Sequence, residues 1–380
     1  MISVMRIVAE VRLCPSPHQH TALLATLEQT NAATNHVSRW AWDHTCFQRF
    51  GIHKAIYHPM RHSSGLAAQV VCLLIAKVAH AYKLDRRVLR TFRARGAIAY
   101  DARIMRFVED AQAVSLWTVA GRQIIPFVCG EHQRALLDHR RGECDLLLRG
   151  GKWFLAVGCE VAEAQPIPVT EWLGVDLGVV NLATDSDGVV YSGAAVERSR
   201  RIHSHRRRNL QRKRTRPARR KLNRLKGRQQ RFQKNENHRI SKSIVAAAQR
   251  TARGIALEDL GGIRERVTAR KPQRARLANW SFYQLRAFVT YKARRVGVPV
   301  RLVDPRNTSR ECPACGHIEK ANRLTQSSFQ CVSCGFAGHA DTIAAANVAA
   351  RAAVNRPMVR GWEQSRPSPR TSRRLSVGGS

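Results

Sequence analysis

Residues 171–193 read EWLGVDLGVVNLATDSDGVVYSG. Apolar runs surround an isolated acid, Asp176, and the triplet Ser186-Asp187-Gly188 offers a tight turn. This pattern predicts two or three strands joined by short turns. An acid inside an apolar strand is costly to bury unless it is paired or holds a cation. Gly174 and Gly178 stand on either side of it and leave room for a backbone or a ligand to approach closely. Taken alone, Asp176 could equally be an edge-strand acid facing water.

Two further acids stand in comparable positions. In GIALEDLGG, residues 254–262, strand alternation sets Ile255 and Leu257 on one face and Ala256 and Glu258 on the other. Asp259 would then share the face of Ile255 and Leu257, in a structural or rim position. In GHADTIAAANVAAR, residues 338–351, Asp341 opens an alanine-rich helix, and its local reading is a helix cap. Together the order strand, strand, helix meets the needs of a two-metal phosphodiester site. There carboxylates from separate elements hold two Mg²⁺ ions about 3.5–4 Å apart. Hard divalent ions prefer such oxygen ligands.

Between the second and third acids lies a cysteine cluster. Cys312 and Cys315 form one C-x-x-C pair, Cys331 and Cys334 another, with fifteen residues between the pairs. That spacing predicts two knuckles converging on a tetrahedral zinc ion. Gly316 and Gly335 follow the second cysteine of each pair, where a tight turn needs a residue without a Cβ. Four thiolates close the coordination shell, so the zinc is expected to be structural. His317 and His339 then read as polar loop residues, and the remaining cysteines as buried or incidental.

Upstream, residues 3–13 read as a strand. Ser16 and Pro17 form a helix start, with helical character to about residue 95. After Gly96 the runs RIMRFV, AVSLWTVAGRQIIPFV and CDLLLRGGKWFLAVGCEV read as hairpins, broken at Gly121 and at Gly150-Gly151. With the first strand they suggest a small β-barrel into which the helical part is inserted. The proline-rich AQPIPVT at 164–170 marks a domain boundary.

Charge bounds the function. Lys and Arg total 65 against 27 Asp and Glu, a net charge of +38 on 380 residues. So large an excess points away from a small-metabolite enzyme and toward a polyanionic partner, nucleic acid first. Residues 198–239 alone hold nineteen Lys and Arg and one acid, Glu236. Leu210, Leu222, Leu225 and Phe232 interrupt them, which predicts two helices, interrupted near Pro217, with one packed seam and basic outer faces. A second basic cluster lies at 83–95. The longest apolar stretch, residues 66–76, is about half a membrane span. The N-terminal segment carries Arg6, Glu10 and Arg12 and does not read as a signal peptide. The chain is therefore expected inside the cell, with its cysteines reduced or metal-bound.

The segments GVDLGVVNLATDSDG, GIALEDLGGI, NTSRECPACGHIEKANRLTQSSFQCVSCGF and HADTIAAANVAAR together resemble the TnpB proteins of insertion sequences, the OrfB type related to type V CRISPR effectors. The likeness is dense over about residues 170–352. It is weaker upstream, in VRLCPSPHQ and AVSLWTVAGRQIIPFVCGEHQRALL. It implies an α/β fold: an RNase H-like (RuvC) nuclease domain over 167–307 and 339–355, with a zinc ribbon at 308–338. It further implies a wedge β-barrel over 1–15 and 96–166 that carries a helical recognition module at 16–95. Residues 356–380 are expected to be a disordered tail.

By the same resemblance Asp176, Glu258 and Asp341 are the catalytic Mg²⁺-binding triad. Cys312, Cys315, Cys331 and Cys334 hold the zinc, and Arg323 resembles a ribbon arginine that reaches the scissile strand. The activity implied is a transposon-encoded, RNA-guided DNA endonuclease, Mg²⁺-dependent, that cuts beside a transposon-adjacent motif. Its partners are a guide RNA from the transposon end and double-stranded target DNA, in a prokaryotic cytoplasm and on the nucleoid when bound to DNA. An unguided RNase H-like nuclease or transposase, and a non-cleaving RNA-guided regulator, are the rival readings.

Overall fold

The computed structural model describes residues 3–108, 111–261, 281–325 and 327–354. The expected tail at 356–380 lies outside them. The chain divides into two compact units, Met1–Glu163 and Ala164–Ser380.

In the first unit, β1 (Val4–Leu13) leads into α1 (Pro17–Asp43). Ser16 and Gln19 form a reciprocal capping box at the helix start, with Pro17 in the first turn. Helices α2 (Arg49–Ser64) and α3 (Ala68–Leu84) follow. The chain then builds β2 (Ile98–Tyr100), β3 (Met105–Val108), β4 (Ala113–Thr118) and β5 (Gly121–Val128). After α4 (Glu131–Leu137) come β6 (Arg140–Arg149) and β7 (Lys152–Ala162). The seven strands run in the order β2-β6-β7-β1-β5-β4-β3. The two edge strands are consecutive in sequence, separated only by residues 101–104, and Tyr100 Oη donates to Trp117 O at 2.9 Å. The sheet therefore curls, bringing β2 back toward β3 and β4. Val11, Leu155 and Val157 from the sheet share one core with Leu23, Leu27, Val71 and Ile75 from the helices.

Helix does not extend to residue 95. It stops at Leu84, and 85–97 returns as an irregular strap. Local propensity favours helix here, yet buried and half-buried polar side chains on α1 and α3 capture the strap's backbone. Asn35 Nδ2 donates to Phe92 O (2.8 Å) and its Oδ1 accepts from Phe92 N (2.7 Å). Ser38 Oγ donates to Arg90 O, Asn31 Nδ2 to Gly96 O, and Lys77 Nζ to Ala97 O. Arg86, Arg87, Arg93 and Arg95 are left exposed.

The second unit is built on β8 (Trp172–Asp176), β9 (Asn181–Asp185), β10 (Val190–Ser192), β11 (Gly254–Glu258) and β12 (Val300–Val303). Their order is β10-β9-β8-β11-β12. The first three form an antiparallel meander, with Gly188 at φ 85° in the β9–β10 turn. The pairs β8–β11 and β11–β12 are parallel. Leu173, Val175, Ile255 and Leu257 face one side. There they pack on α7 (Arg228–Arg250), through Ile240, Ile244 and Ala248, and on α8 (Phe282–Arg295), through Phe282, Leu285 and Val289. The opposite side receives α9 (Ala340–Ala353), whose Val348 and Ala352 pack on Ala256 and Val303.

The basic stretch forms three helices rather than two: α5 (Ala194–Lys213), α6 (Arg216–Leu225) and α7. The breaks fall at Arg214 (φ 52°) and Gly227 (φ 75°), both left-handed. Pro217 sits in the first turn of α6, behind Thr215, whose Oγ1 accepts from Ala218 N. Proline lacks only an N–H that has no intrahelical partner in that turn, so here it starts a helix instead of breaking one.

A Cβ built on Gly174 would overlap the backbone of α9, at Ala345 O and Ala349 N. Gly174→Ala is expected to destabilise the second unit by about 3 kcal/mol or more, the upper end for overpacking, because backbone cannot yield as a side chain can. Urea unfolding would measure it. A loss within error of zero would mean that α9 does not seat on β8 at this point.

Candidate functional site

Asp176 and Glu258 are the last residues of β8 and β11. Those strands are parallel neighbours paired Leu257 to Val175, so the register carries the two acids to the same end of the sheet. Asp341 comes from the first turn of α9, packed across β8. Glu258 is 6% and Asp341 8% exposed. Asp259 turns to the other face, where Arg286 Nη1 donates to it at 2.8 Å.

The cap reading of Asp341 fails. His339 occupies the N-cap position, and no side-chain cap bond is made. The Asp341 carboxylate instead accepts from Asn181 Nδ2 (2.9 Å) and from Arg323 Nη2 (3.0 Å). It therefore ties the helix to β9 and to the cysteine-rich loop that carries Arg323.

Three like charges meet here in low dielectric. Burial, then the neighbouring charges of Glu258 and Asp341, push Asp176 up to about 8. Burial also raises Glu258, offset in part by a hydrogen bond from Thr308 and by the positive charges of Arg351 and Arg323. Asp176 and Glu258 are thus both held toward the protonated form. Asp176 is the one the environment protonates. The cluster suits oxygen-seeking divalent cations, which would displace that proton. The three carboxylates do not close into a tighter set: among the described residues, the four cysteines form the group whose ligand atoms all lie within 4.8 Å of one another.

In the cysteine loop, Cys312 Sγ lies 3.6 Å from Cys334 Sγ, and Cys315 Sγ 3.6 Å from Cys331 Sγ. Gly316 and Gly335 take φ of 73° and 74°, and their N–H groups donate to Cys312 O and Cys331 O. Cys334 N donates to Cys331 Sγ, which favours the thiolate that a metal needs. A short hairpin, β13 (Ser328–Gln330) with β14 (Ala337–His339), completes the loop. Phe329, Cys312 and Cys331 pack on Ala340 and Ile343, the start of α9. Four converging sulfurs could hold a tetrahedral zinc ion. His317 bonds to Glu319 and stands outside the thiol set.

Sequence reasoning gave no role to Thr308, Asn181, Asn347 or Arg351. Thr308 Oγ1 donates to Glu258 Oε1 at 2.6 Å. Asn347 Nδ2 donates to Thr308 O and to Glu311 O, both at 2.8 Å. Arg351 binds Asp304 O, Arg306 O and the Glu311 carboxylate. The available signal was the polar cluster NTSRE before Cys312, of which Thr308 and Glu311 turn their side chains to Glu258 and Arg351.

Helices α5–α7 present their basic residues outward. A groove of about 840 Å³ runs between β10 and these helices, lined by Tyr191, Arg198, Ile202, His203, Arg206 and Arg239. None of the three acids lines it. Among the described residues, no helix is long and apolar enough to cross a membrane.

The raised pKa of Asp176 has a thermodynamic consequence. Without a bound cation, the folded chain keeps a proton up to about pH 8 that the unfolded chain releases near 4. The folded state binds more protons across that window, so stability is highest below it and falls as pH rises toward 8. In magnesium-free buffer the melting temperature is expected to drop between pH 5.5 and 8.5, and Asp176→Asn to flatten that slope. An unchanged slope in the variant would place the proton elsewhere.

Residues 156–260 match the family OrfB_IS605, described as "Probable transposase", and residues 282–348 match the "Cas12f1-like, TNB domain". The CRISPR-associated endodeoxyribonuclease Cas12f1 of Sulfoacidibacillus thermotolerans is 31% identical over 223 residues, covering 53% of this chain and 50% of that one. The protein named "Putative RNA-guided DNA endonuclease InsQ" of Escherichia coli K12 is 29% identical over 220 residues, covering 53% and 54%. The chain thus spans about half the length of the curated relatives it matches. In fold it is similar to the Cas12f1 chain of a Cas12f1–sgRNA–target DNA complex: TM-score 0.59, 14% identity, 86% of this chain and 82% of that one. The chain is accordingly similar to TnpB-like and Cas12f1 proteins over its second half, where residues 156–260 match the OrfB_IS605 model and 282–348 the Cas12f1-like TNB model.

Proposed function

We propose that this chain is a transposon-encoded, RNA-guided DNA endonuclease whose nuclease centre is Asp176, Glu258 and Asp341. The observation that carries the reading is the meeting of these acids, from β8, β11 and α9, in one cluster with Glu258 and Asp341 buried and Asp176 half-buried, close enough that the charges of Glu258 and Asp341 raise Asp176. The strand order β10-β9-β8-β11-β12, with an antiparallel meander followed by parallel strands, supports an RNase H-like (RuvC) domain. The curled sheet and helices of the first unit support the wedge barrel and helical module. The relatives' names support the activity.

In this reading Asp176, Glu258 and Asp341 hold Mg²⁺. When bound, the ions supply activation of a water and stabilisation of the departing 3′-oxygen. The protein's own groups do the rest. Asp176 would hold the cations as the carboxylate, without its proton, and Glu258 is held by Thr308. Arg323 offsets the charge of Asp341 and, beside it, would meet a strand phosphate brought to the acids. Cleavage leaves a 5′-phosphate and a 3′-hydroxyl. The four cysteines hold structural zinc. The outward basic faces of α5–α7 and the arginines of 85–97 grip RNA and DNA backbones. A guide RNA from the transposon end supplies sequence specificity by pairing, beside a short adjacent motif read in the duplex.

The test is to purify the protein with its co-expressed RNA and offer duplex DNA that matches or does not match that RNA, with and without Mg²⁺. Cleavage of matched duplex alone, dependent on both RNA and Mg²⁺, is expected. Asp341→Asn should abolish cutting while RNA binding and folding persist. Cutting of unmatched DNA without RNA would favour an unguided nuclease. RNA-dependent binding without cutting by the wild type would favour a regulator.

Cys312→Ser is expected to lower the zinc content below one ion per chain and to destabilise the C-terminal region. A folded quadruple-cysteine variant that keeps its zinc would refute the ribbon.

A further inference from the structure

Glu258 ends its strand with a carboxylate 6% exposed, held by a side chain that does not belong to the acid set. That side chain is Thr308, itself 3% exposed, in the turn that leads from β12 into the cysteine loop. A threonine hydroxyl has one hydrogen to give. Two acceptors lie near: Glu258 Oε1 at 2.6 Å and Pro305 O at 3.1 Å. The shorter bond, to a carboxylate oxygen, is the charge-assisted one and takes the hydrogen.

The turn does not need that hydroxyl for its own shape. Arg310 N and Glu311 N both donate to Asn307 O, and Asp304 Oδ1 accepts from Arg306 N. Asn307 turns the chain with φ 61°, a conformation asparagine tolerates better than most residues. The hydroxyl is therefore available to the carboxylate, and the turn's anchorage decides where it stands. Asn347, 5% exposed in the middle of α9, donates to Thr308 O and Glu311 O. Arg351, one turn on, holds Asp304 O and Arg306 O. The helix that brings Asp341 to the site thus also fixes the turn that orients Glu258.

We propose that Thr308 is a positioning residue for Glu258, set in place by Asn347, and that this relay tunes the affinity of the acid cluster for divalent cations. The inference rests on the reading of Asp176, Glu258 and Asp341 as the cation site. Its logic is that of an outer-sphere hydrogen bond to a metal-binding carboxylate. Thr308 occupies Oε1 and restricts the carboxylate's rotation. Without the hydroxyl Glu258 loses the donor that orients it. Binding then costs the entropy that Thr308 removes in advance.

The experiment measures Mn²⁺ binding to the full-length protein by titration calorimetry, beside melting temperature and zinc content. Glu258→Gln is the control for the underlying reading and should abolish binding at the cluster. Thr308→Val, nearly isosteric and without the hydroxyl, is expected to weaken Mn²⁺ binding by about tenfold or more, within the range seen when such partners are lost. Thr308→Ser restores the hydroxyl and should return affinity to within about threefold of wild type. Asn347→Ser, which leaves Thr308 in place but frees its turn, should give an intermediate loss. In cleavage assays the same order should appear in the Mg²⁺ concentration for half-maximal rate, with the rate at saturating Mg²⁺ less affected. Zinc content should stay constant throughout. Wild-type Mn²⁺ affinity in a folded Thr308→Val protein, with Glu258→Gln inactive in binding, would overturn the proposal and leave the acid site standing. Wild-type binding in Glu258→Gln would overturn the site reading itself. Should Thr308→Val fail to fold, the Ser and Asn347 variants decide: equal affinity in wild type and Asn347→Ser refutes the relay.

Discussion

The second unit depends on a contact without side chains. At Gly174 the backbone of α9 lies directly against β8, closer than any residue with a Cβ would permit. This approach explains the composition of the helix. Ala344, Ala345 and Ala352 are buried beside Val348, so the face that meets the sheet is made largely of small side chains. A helix of leucines would stand several ångströms farther out. Asp341 would then be lifted away from the ends of β8 and β11, and the three acids would no longer sense one another.

Placing three carboxylates in one corner, two of them buried and Asp176 half-buried, works against stability, and the surrounding structure is arranged to offset it. Arg323 pairs with Asp341 at 3.0 Å, with the two side chains 26% and 12% exposed. Asn181 supplies a second donor to Asp341, and Thr308 a donor to Glu258. Asp176 has fewer compensating donors and responds by keeping its proton. The site is thus asymmetric without any cation. Two acids have their charge met by the protein, and the third, at the end of the central strand, is the one whose ionisation waits on something positive.

Much of this was legible in residue type and spacing. Alternation set Glu258 apart from Asp259, and the structure has them facing opposite sides. The glycines after each C-x-x-C pair are left-handed in the structure, as knuckles need. What could not be read shares one physical cause: long-range hydrogen bonds that local pattern does not encode. Residues 85–97 have helix-forming composition, but Asn31, Asn35, Ser38 and Lys77, all distant in sequence, take their carbonyls. Asp341 has the position of a cap, but its carboxylate is claimed by Asn181 and Arg323, so the amides at the start of α9 make no side-chain cap bond. Pro217 was read as an interruption because a proline's effect depends on where the helix starts. That start is set by Thr215 just before it.

The cysteine loop is more than an appendage for the same reason. Its sulfur cluster is continuous with the first turn of α9 through Phe329, Ala340 and Ile343. Its entry turn carries Thr308, and its middle carries Arg323. One side of the loop therefore fixes where Asp341 begins, another orients Glu258, and a third neutralises Asp341. Whatever holds the four sulfurs together also fixes the relative placement of these three contacts. Loosening the cluster would act on the acids through geometry, with no change in any acid itself. A loop of about thirty residues, too small to build a hydrophobic core of its own, gains rigidity most economically from such a crosslink.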